Sequence, residues 1–225
     1  MSNTALILAP HPDDEVLGCG GTMAKLAQEG WNVVVLIPTR GAKQLYSDEQ
    51  VATVRREAKE VHDFLGVADT LFLDDFPAAY LDTVPQAEVN IALSKIVQEV
   101  KPNALYLPFL GDIHDDHQRF FHAGMVASRP NGNYAPERIY AYETLSETNW
   151  NAPLLTPGFI PNSFYDISET LEKKLEAMQM YGSQVRPFPN ERSLESLRAL
   201  AMLRGSTVGF HAAEAFVMVR EIRKQ

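Results

Sequence analysis

A short apolar run, Ala5 to Ala9, breaks into Pro10-His11-Pro12-Asp13-Asp14-Glu15 and continues as Val16-Leu17-Gly18-Cys19-Gly20-Gly21. An apolar run that ends at two prolines reads as a buried strand that stops abruptly. The three acids then sit where the chain turns into its next element. Helix capping accounts for one of them, since Asp is a favoured N-cap, acids suit the positive end of a helix, and Pro12 can open the first turn. Three adjacent acids beside a histidine repel one another at neutral pH. A bound divalent cation is the least costly way to hold them at the end of a buried strand.

The rest of the chain supplies the frame around this turn. A helix is expected from about Asp14 to Gln28, with Leu17, Met23, Leu26 and Ala27 on its sheet-packing face and Glu29-Gly30 as its stop. Asn32 to Ile37 is nearly continuous and β-branched, the pattern of a strand covered on both faces, and Pro38 to Gly41 reads as a loop. Helices follow at about Asp48 to Leu65 and Ala87 to Val100, with strands at about Thr70 to Leu73 and Ala104 to Pro108. Such alternation specifies βαβ units, hence an α/β, Rossmann-like, mostly parallel sheet with helices on both faces. Further on, Arg138 to Glu143 alternates as a strand and Leu154 to Asn162 is irregular. Helices are expected at about Ile167 to Tyr181, capped by Ser168, and at about Asn190 to Arg204, before a last strand at Ala215 to Val219. No linker divides the 225 residues, so residues 1–225 read as a single domain.

Composition excludes several functions. A formal net charge of -9 argues against nucleic acid and anionic membrane as partners, because both need a basic face. No apolar run reaches the roughly 18 residues of a membrane span, and the start lacks a basic leader. The single cysteine, Cys19, permits no intrachain disulfide, which together with the leaderless start predicts a cytoplasmic protein. Self-association into a homo-oligomer is left open.

A second cluster, Gly111-Asp112-Ile113-His114-Asp115-Asp116-His117, follows the strand at Ala104 to Pro108. On a helical turn two histidines three residues apart can face one point. Acid-and-histidine loops also occur as plain solvated turns, but both clusters follow a strand, at the end where a doubly wound sheet gathers its ligands. One His and one Asp from the first cluster and one His from the second would make the three-ligand set of a catalytic zinc, which keeps a further position open. The remaining acids can then serve as general base and the other histidine can stabilise an oxyanion, which makes the reaction class metal-assisted hydrolysis. Dinucleotide binding fits poorly, since the glycines come one helical turn late and the acids would repel a pyrophosphate.

Pro10 to Glu15 with Gly18 to Gly21, and then His114-Asp115-Asp116-His117, resemble in order and spacing the PIG-L/LmbE-like family of zinc-dependent N-acetylglucosaminyl deacetylases. Weaker matches at Glu57-Ala58, Leu65-Gly66, Asp166 to Ser168, Lys174, Ser183-Gln184, Arg204-Gly205 and Ala213 to Phe216 extend the resemblance over essentially the whole chain. It implies zinc, or another divalent transition metal, on His11, Asp14 and His117. By the same resemblance Asp13 is the general base, and His114 polarises the amide oxygen with Asp116 as its partner. Glu15 takes a supporting role. The substrate implied is a small amino-sugar conjugate that loses its N-acetyl group. An arginine of the family's second helix falls here at Val54, so Arg55 or Arg56 becomes the substrate-contact candidate, with His211 as another. Loops at Ala79 to Pro85 and Ser146 to Asn162 would hold the rest of the conjugate. Trp31 and Trp150 read as core or interface packing residues, and Gly20 as the sensitive position of a glycine turn. Hydrolysis of another amide or ester is the alternative activity. A non-catalytic sugar-binding relative is the remaining one, against which Asp13 and His114 count.

Overall fold

Strand β1 (Thr4–Leu8) lies in the middle of the fold because every second side chain serves a different core. Ala5 and Ile7 face one hydrophobic cluster and Leu6 and Leu8 the other. The structure is a computed structural model that describes residues 3–223. It continues through α1 (Asp14–Gln28), β2 (Asn32–Gly41), α2 (Asp48–Leu65), β3 (Asp69–Ala78), α3 (Gln86–Val100), β4 (Ala104–Pro108) and α4 (Asp115–Ala127). The second half adds β5 (Arg138–Tyr142), β6 (Ser163–Asp166), α5 (Leu171–Met180), α6 (Leu194–Ser206) and β7 (Ala213–Glu221). A short 3-10 turn lies at Leu81–Thr83.

The seven strands form one sheet in the order β3-β2-β1-β4-β5-β7-β6. The first five in that order run parallel, and β7 pairs antiparallel with both β5 and β6. The α/β, mostly parallel architecture therefore follows the expectation. Helices α1, α2, α5 and α6 cover one face through residues such as Met23, Val61, Met178 and Leu197, and α3 and α4 cover the other through Leu93, Val97 and Phe120. Ile7 stands beside both Val35 of β2 and Tyr106 of β4. The strand order reverses at β1, so the loops after β1 and β4 emerge side by side at the carboxyl edge where such sheets bind ligands. Among the described residues no helix is long and apolar enough to cross a membrane.

Several boundaries differ from the expectation for identifiable reasons. Strand β2 does not stop at Ile37 but continues through Pro38 to Gly41, with a register shift between Ile37 and Thr39. Proline cannot donate to a ladder and is tolerated at such a bulge. Beside it, β3 extends to Ala78 and not merely to Leu73. The four-residue β6 is too short to show alternation in the sequence; its order comes from pairing with Ala213 to Phe216. Helix α5 starts at Leu171 and not at Ile167, since the Ser168 amide and hydroxyl both donate to Asp166 Oδ1, at 2.9 and 2.6 Å, which makes a turn in place of a cap. Thr170 takes the cap position, yet its hydroxyl donates to the Gly21 carbonyl at 2.9 Å.

The glycines after the acidic turn lie inside α1, not in a turn. They let the helix approach its neighbours: a Cβ on Gly18 would stand 2.2 Å from the Tyr142 ring, and one on Gly21 2.8 Å from Ile167. At Gly20 the nearest atom would be the flexible Lys174 Cγ, at 3.1 Å, so the tightest position is Gly18. Bonds from outside also reach the middle of α1: the Gly21 and Thr22 amides donate to Glu214 of β7, at 2.9 and 2.7 Å. Lys174 of α5, almost fully buried, donates to Glu214 at 2.6 Å and to the Leu17 carbonyl at 2.8 Å. Overpacking of a filled core costs about 1–3 kcal/mol. Gly18→Ala should therefore lower the thermal midpoint measurably, whereas Gly158→Ala, with open space around it, should leave it unchanged.

Candidate metal centre

Asp13 caps α1 with φ 109° and ψ -27°, a left-handed conformation that a non-glycine residue holds at a cost of about 1–3 kcal/mol. The support is Glu15. Its buried carboxylate accepts the Asp13 amide at 3.1 Å and the Tyr181 hydroxyl at 2.6 Å, and His62 Nε2 lies 3.3 Å away. This gives Glu15 the definite task that the sequence left open. Asp14 begins the helix, and its Oδ2 accepts the His11 amide at 2.9 Å.

The second cluster is arranged by the start of α4. His114 is the N-cap and its Nδ1 accepts the Asp116 amide at 3.2 Å, so in the neutral ring the proton sits on Nε2. His117 donates from Nδ1 to Asp112 Oδ2 at 2.8 Å, and Asp112 Oδ1 accepts the Thr148 hydroxyl at 2.6 Å. His11 donates from Nε2 to Asp116 Oδ2 at 2.9 Å, and the Ala79 amide donates to the same oxygen at 2.8 Å. Asp116 Oδ2 is 3.9 Å from His114 Nδ1. The expected pairing of Asp116 with His114 is thus corrected: its carboxylate orients His11, while its amide orients His114.

These outer bonds turn the free nitrogens of His11 and His117 onto one atom. His11 Nδ1 lies 3.3 Å and His117 Nε2 3.2 Å from Asp14 Oδ2, and ligand atoms of the three residues all lie within 4.8 Å of one another. His117 Nε2 is buried without a hydrogen-bond partner. Two nitrogens and a carboxylate oxygen, each oriented by a further polar group, fit a divalent cation of borderline softness. A second grouping, His11, His114 and Asp116, is equally compact, but its His11 nitrogen already donates to Asp116.

Without a cation, protons must supply the positive charge. Burial lowers the His11 pKa, but hydrogen bonds to Asp116 and Asp14 outweigh it and raise it to about 9. His117 is likewise raised against its burial, chiefly by the Asp14 charge and the Asp112 bond, and Asp14 is held well below the usual carboxylate range by His117 and His11. His114 moves the other way, to about 4, through burial and the positive His11 beside it, and stays neutral at neutral pH. Burial pushes the Asp13 carboxyl up; the Arg192 guanidinium, 3.3 Å away, opposes this, and Asp14 and Glu15 add to it. Burial also raises Glu147, to about 7.

The cluster opens into a cleft of about 600 Å³ whose lining includes His11, Asp13, His114, Tyr46, Arg186 and Arg192. Its walls come from the start of α2 and the connection between α5 and α6. Of the two loops expected to hold the conjugate, Ala79 and Glu147 reach the cleft, but residues 149–162 do not. Trp150 and Leu154 of that loop are 61% and 97% exposed, so Trp150 does not pack in the core of this chain. Trp31 does pack against the core, beneath Arg138. Arg55 lines the cleft with its guanidinium held by Asp74 at 2.7 Å and the Leu73 carbonyl at 2.9 Å, whereas Arg56 is exposed. His211 is exposed and is not among the lining residues. It lies by Asp166, whose carbonyl accepts Lys25 near the far end of α1. Sequence reasoning missed Asp112, Glu147, Tyr181 and Arg192. Asp112 stands inside the second cluster, where its spacing from His117 was a usable signal; the other three lie where no local pattern marks them.

The His11 shift sets a pH dependence. Its folded pKa lies above the ordinary 6.5, so in the ion-free protein its stabilising contribution is complete below about 6.5 and is lost as pH rises through about 9. A cation must displace that proton, so apparent metal affinity should rise across the same window, with proton release. Calorimetric titration with metal in two buffers of different ionisation enthalpy checks both.

The PIG-L family model, described as GlcNAc-PI de-N-acetylase, matches residues 6–128, which carry both clusters. Diacetylchitobiose deacetylase from Thermococcus kodakarensis is 31% identical over 238 residues, 95% of this chain and 82% of that protein. The crystal structure of a conserved protein from Thermus thermophilus superposes with a TM-score of 0.80 at 26% identity, over 100% of this chain and 98% of that one. N,N'-diacetylchitobiose deacetylase from Pyrococcus horikoshii, complexed with an inhibitor, gives 0.77 at 26% identity, over 97% and 84%. With its two clusters inside the matched region and relatives aligned over nearly its whole length, this chain belongs to the PIG-L family.

Proposed function

We propose that residues 1–225 act as one LmbE-like domain that removes the N-acetyl group from an N-acetylglucosamine-type conjugate, releasing acetate and a free amine. The observation that carries this is the convergence of His11 Nδ1 and His117 Nε2 on Asp14, with the Asp13 carboxylate and a neutral His114 beside them at the end of the cleft. The relatives named for diacetylchitobiose point to an amino sugar as the substrate.

In this reading His11, Asp14 and His117 hold a divalent ion, zinc by the chemistry of the donors. When bound, the ion lowers the pKa of water and polarises the amide carbonyl. Asp13 takes the proton from the attacking water and returns it to the nitrogen as the C–N bond breaks. His114 donates from Nε2 to the oxygen on which negative charge develops, which a neutral imidazole with Nδ1 already bonded is set up to do. Asp112 and Asp116 keep the ligand histidines in the tautomers that leave their free nitrogens inward. Arg55 contributes to the cleft wall that receives the sugar; His211 is left out of this proposal. The cytoplasm is taken as the site of action, where the free and buried Cys19 stays reduced, and assembly into a homo-oligomer is measured by sedimentation.

Acetate release over a panel of N-acetylglucosamine glycosides, with metal-loaded protein, tests the activity; no release from any of them, with the ion bound, would sink it. Two variants test the roles. Asp14→Ala should lose both metal and activity. Asp13→Asn should keep the metal and lose about 10²- to 10⁴-fold in rate, the usual worth of a positioned general base. Elemental analysis showing metal lost from Asp13→Asn but kept by Asp14→Ala would exchange the two roles.

A further inference from the structure

We infer that Arg192, reaching in from the connection between α5 and α6, is a positioning residue: it fixes the Asp13 carboxylate through Oδ2 and leaves Oδ1 as the atom that takes the proton from water. The inference rests on the deacetylase reading and adds to it a residue outside both sequence clusters. The backbone of Asp13 is held on both sides, its amide donating to Glu15 and its carbonyl accepting the Val16 and Leu17 amides. Those bonds do not set the side-chain torsions, and Oδ2 is buried without a hydrogen-bond partner. What faces it is Arg192 Nη1, at 3.3 Å.

The guanidinium is itself held in place. Its Nε donates to Ser146 Oγ at 3.1 Å, Nη1 reaches Gln184 Oε1 at 3.5 Å, and Nη2 lies 3.8 Å from Glu147 Oε1. At its origin the Arg192 amide donates to Asn190 Oδ1 at 2.9 Å, and its carbonyl accepts the Arg186 amide at 3.2 Å. The next residue, Ser193, caps α6 by accepting the Ser196 amide at 3.1 Å. A planar fork with several donors, fixed at both ends, can hold a carboxylate in one orientation where a lysine ammonium would act as a point charge. A proton acceptor gains from this because misplacement by about 1 Å costs on the order of 10²-fold in rate. The cost of fixing Asp13 is met by residues that never touch the reacting atoms.

The test is a double-mutant cycle on metal-loaded enzyme. Arg192→Ala should lower kcat about 10- to 100-fold with KM changed less than about 3-fold and metal content unchanged. In an Asp13→Asn background the same substitution should cost less than about 3-fold more, because residues acting as a unit are non-additive. Guanidine added to Arg192→Ala should recover part of the loss, and Arg192→Lys, a point charge without the planar fork, should recover less. Losses that multiply in the double variant, a raised KM with kcat intact, loss of metal, or an unchanged rate would each overturn the inference. Should Arg192→Ala fail to fold, Arg192→Gln takes its place. A crystal structure of Arg192→Gln reads the link without turnover: an Asp13 carboxylate swung or spread over conformers supports it, and one unmoved refutes it, whatever substrate the wild type accepts.

Discussion

Two imidazole nitrogens and a carboxylate oxygen are turned onto one another in a buried place, with both nitrogens within 3.3 Å of Asp14 Oδ2. Such an arrangement persists in a buried site only if positive charge fills the gap. Either two protons do it, which raises both histidines, or a cation does. The outer bonds suit a cation, since Asp112 and Asp116 each engage one nitrogen of a ligand-type histidine and leave the other turned inward. Much of the surrounding polar structure exists to keep that geometry, from Thr148 on Asp112 to the Ala79 amide on Asp116.

The sheet makes the convergence possible. Parallel β1 and β4 are neighbours in register, so the acidic turn after one and the histidine turn after the other open at the same edge. Extension of β2 past Pro38 draws β3 along with it and delivers the Ala79 amide to the site. The strained Asp13 lies where strand becomes helix, and the buried Glu15, Tyr181 and His62 hold it there. Strain of this kind marks a place where position matters more than stability.

Whatever a local pattern determines was legible in the sequence. Continuous β-branched runs and helical spacing located β1, α1, β2, α2 and β4, and two compact clusters contained the residues whose side chains converge on Asp14, because each signal lies within a few consecutive residues. The task of Asp116 was misread for a geometric reason: residues two apart at the start of a helix do not face each other, so its carboxylate turns from His114 toward the other loop. Edge strand β6, Glu147 and Arg192 were not legible, since each takes its place from partners far away in sequence. The exposed Trp150 shows the converse, an aromatic residue that found no core to enter.

Lys174 and Glu214 join the last strand of the sheet to the middle of the first helix, deep inside the molecule. A chain emerging from the ribosome has all the proposed metal ligands once α4 is made. Until α5 and β7 join it, α1 lacks the partners of its Leu17 carbonyl and of its Gly21 and Thr22 amides, and a polar group left unpaired in a buried place is unfavourable. Synthesis of β7 removes that deficit. The helix that begins at the acidic turn is thus packed in place by the last strand of the sheet, so the far end of the described chain bears on the position of the site near its start.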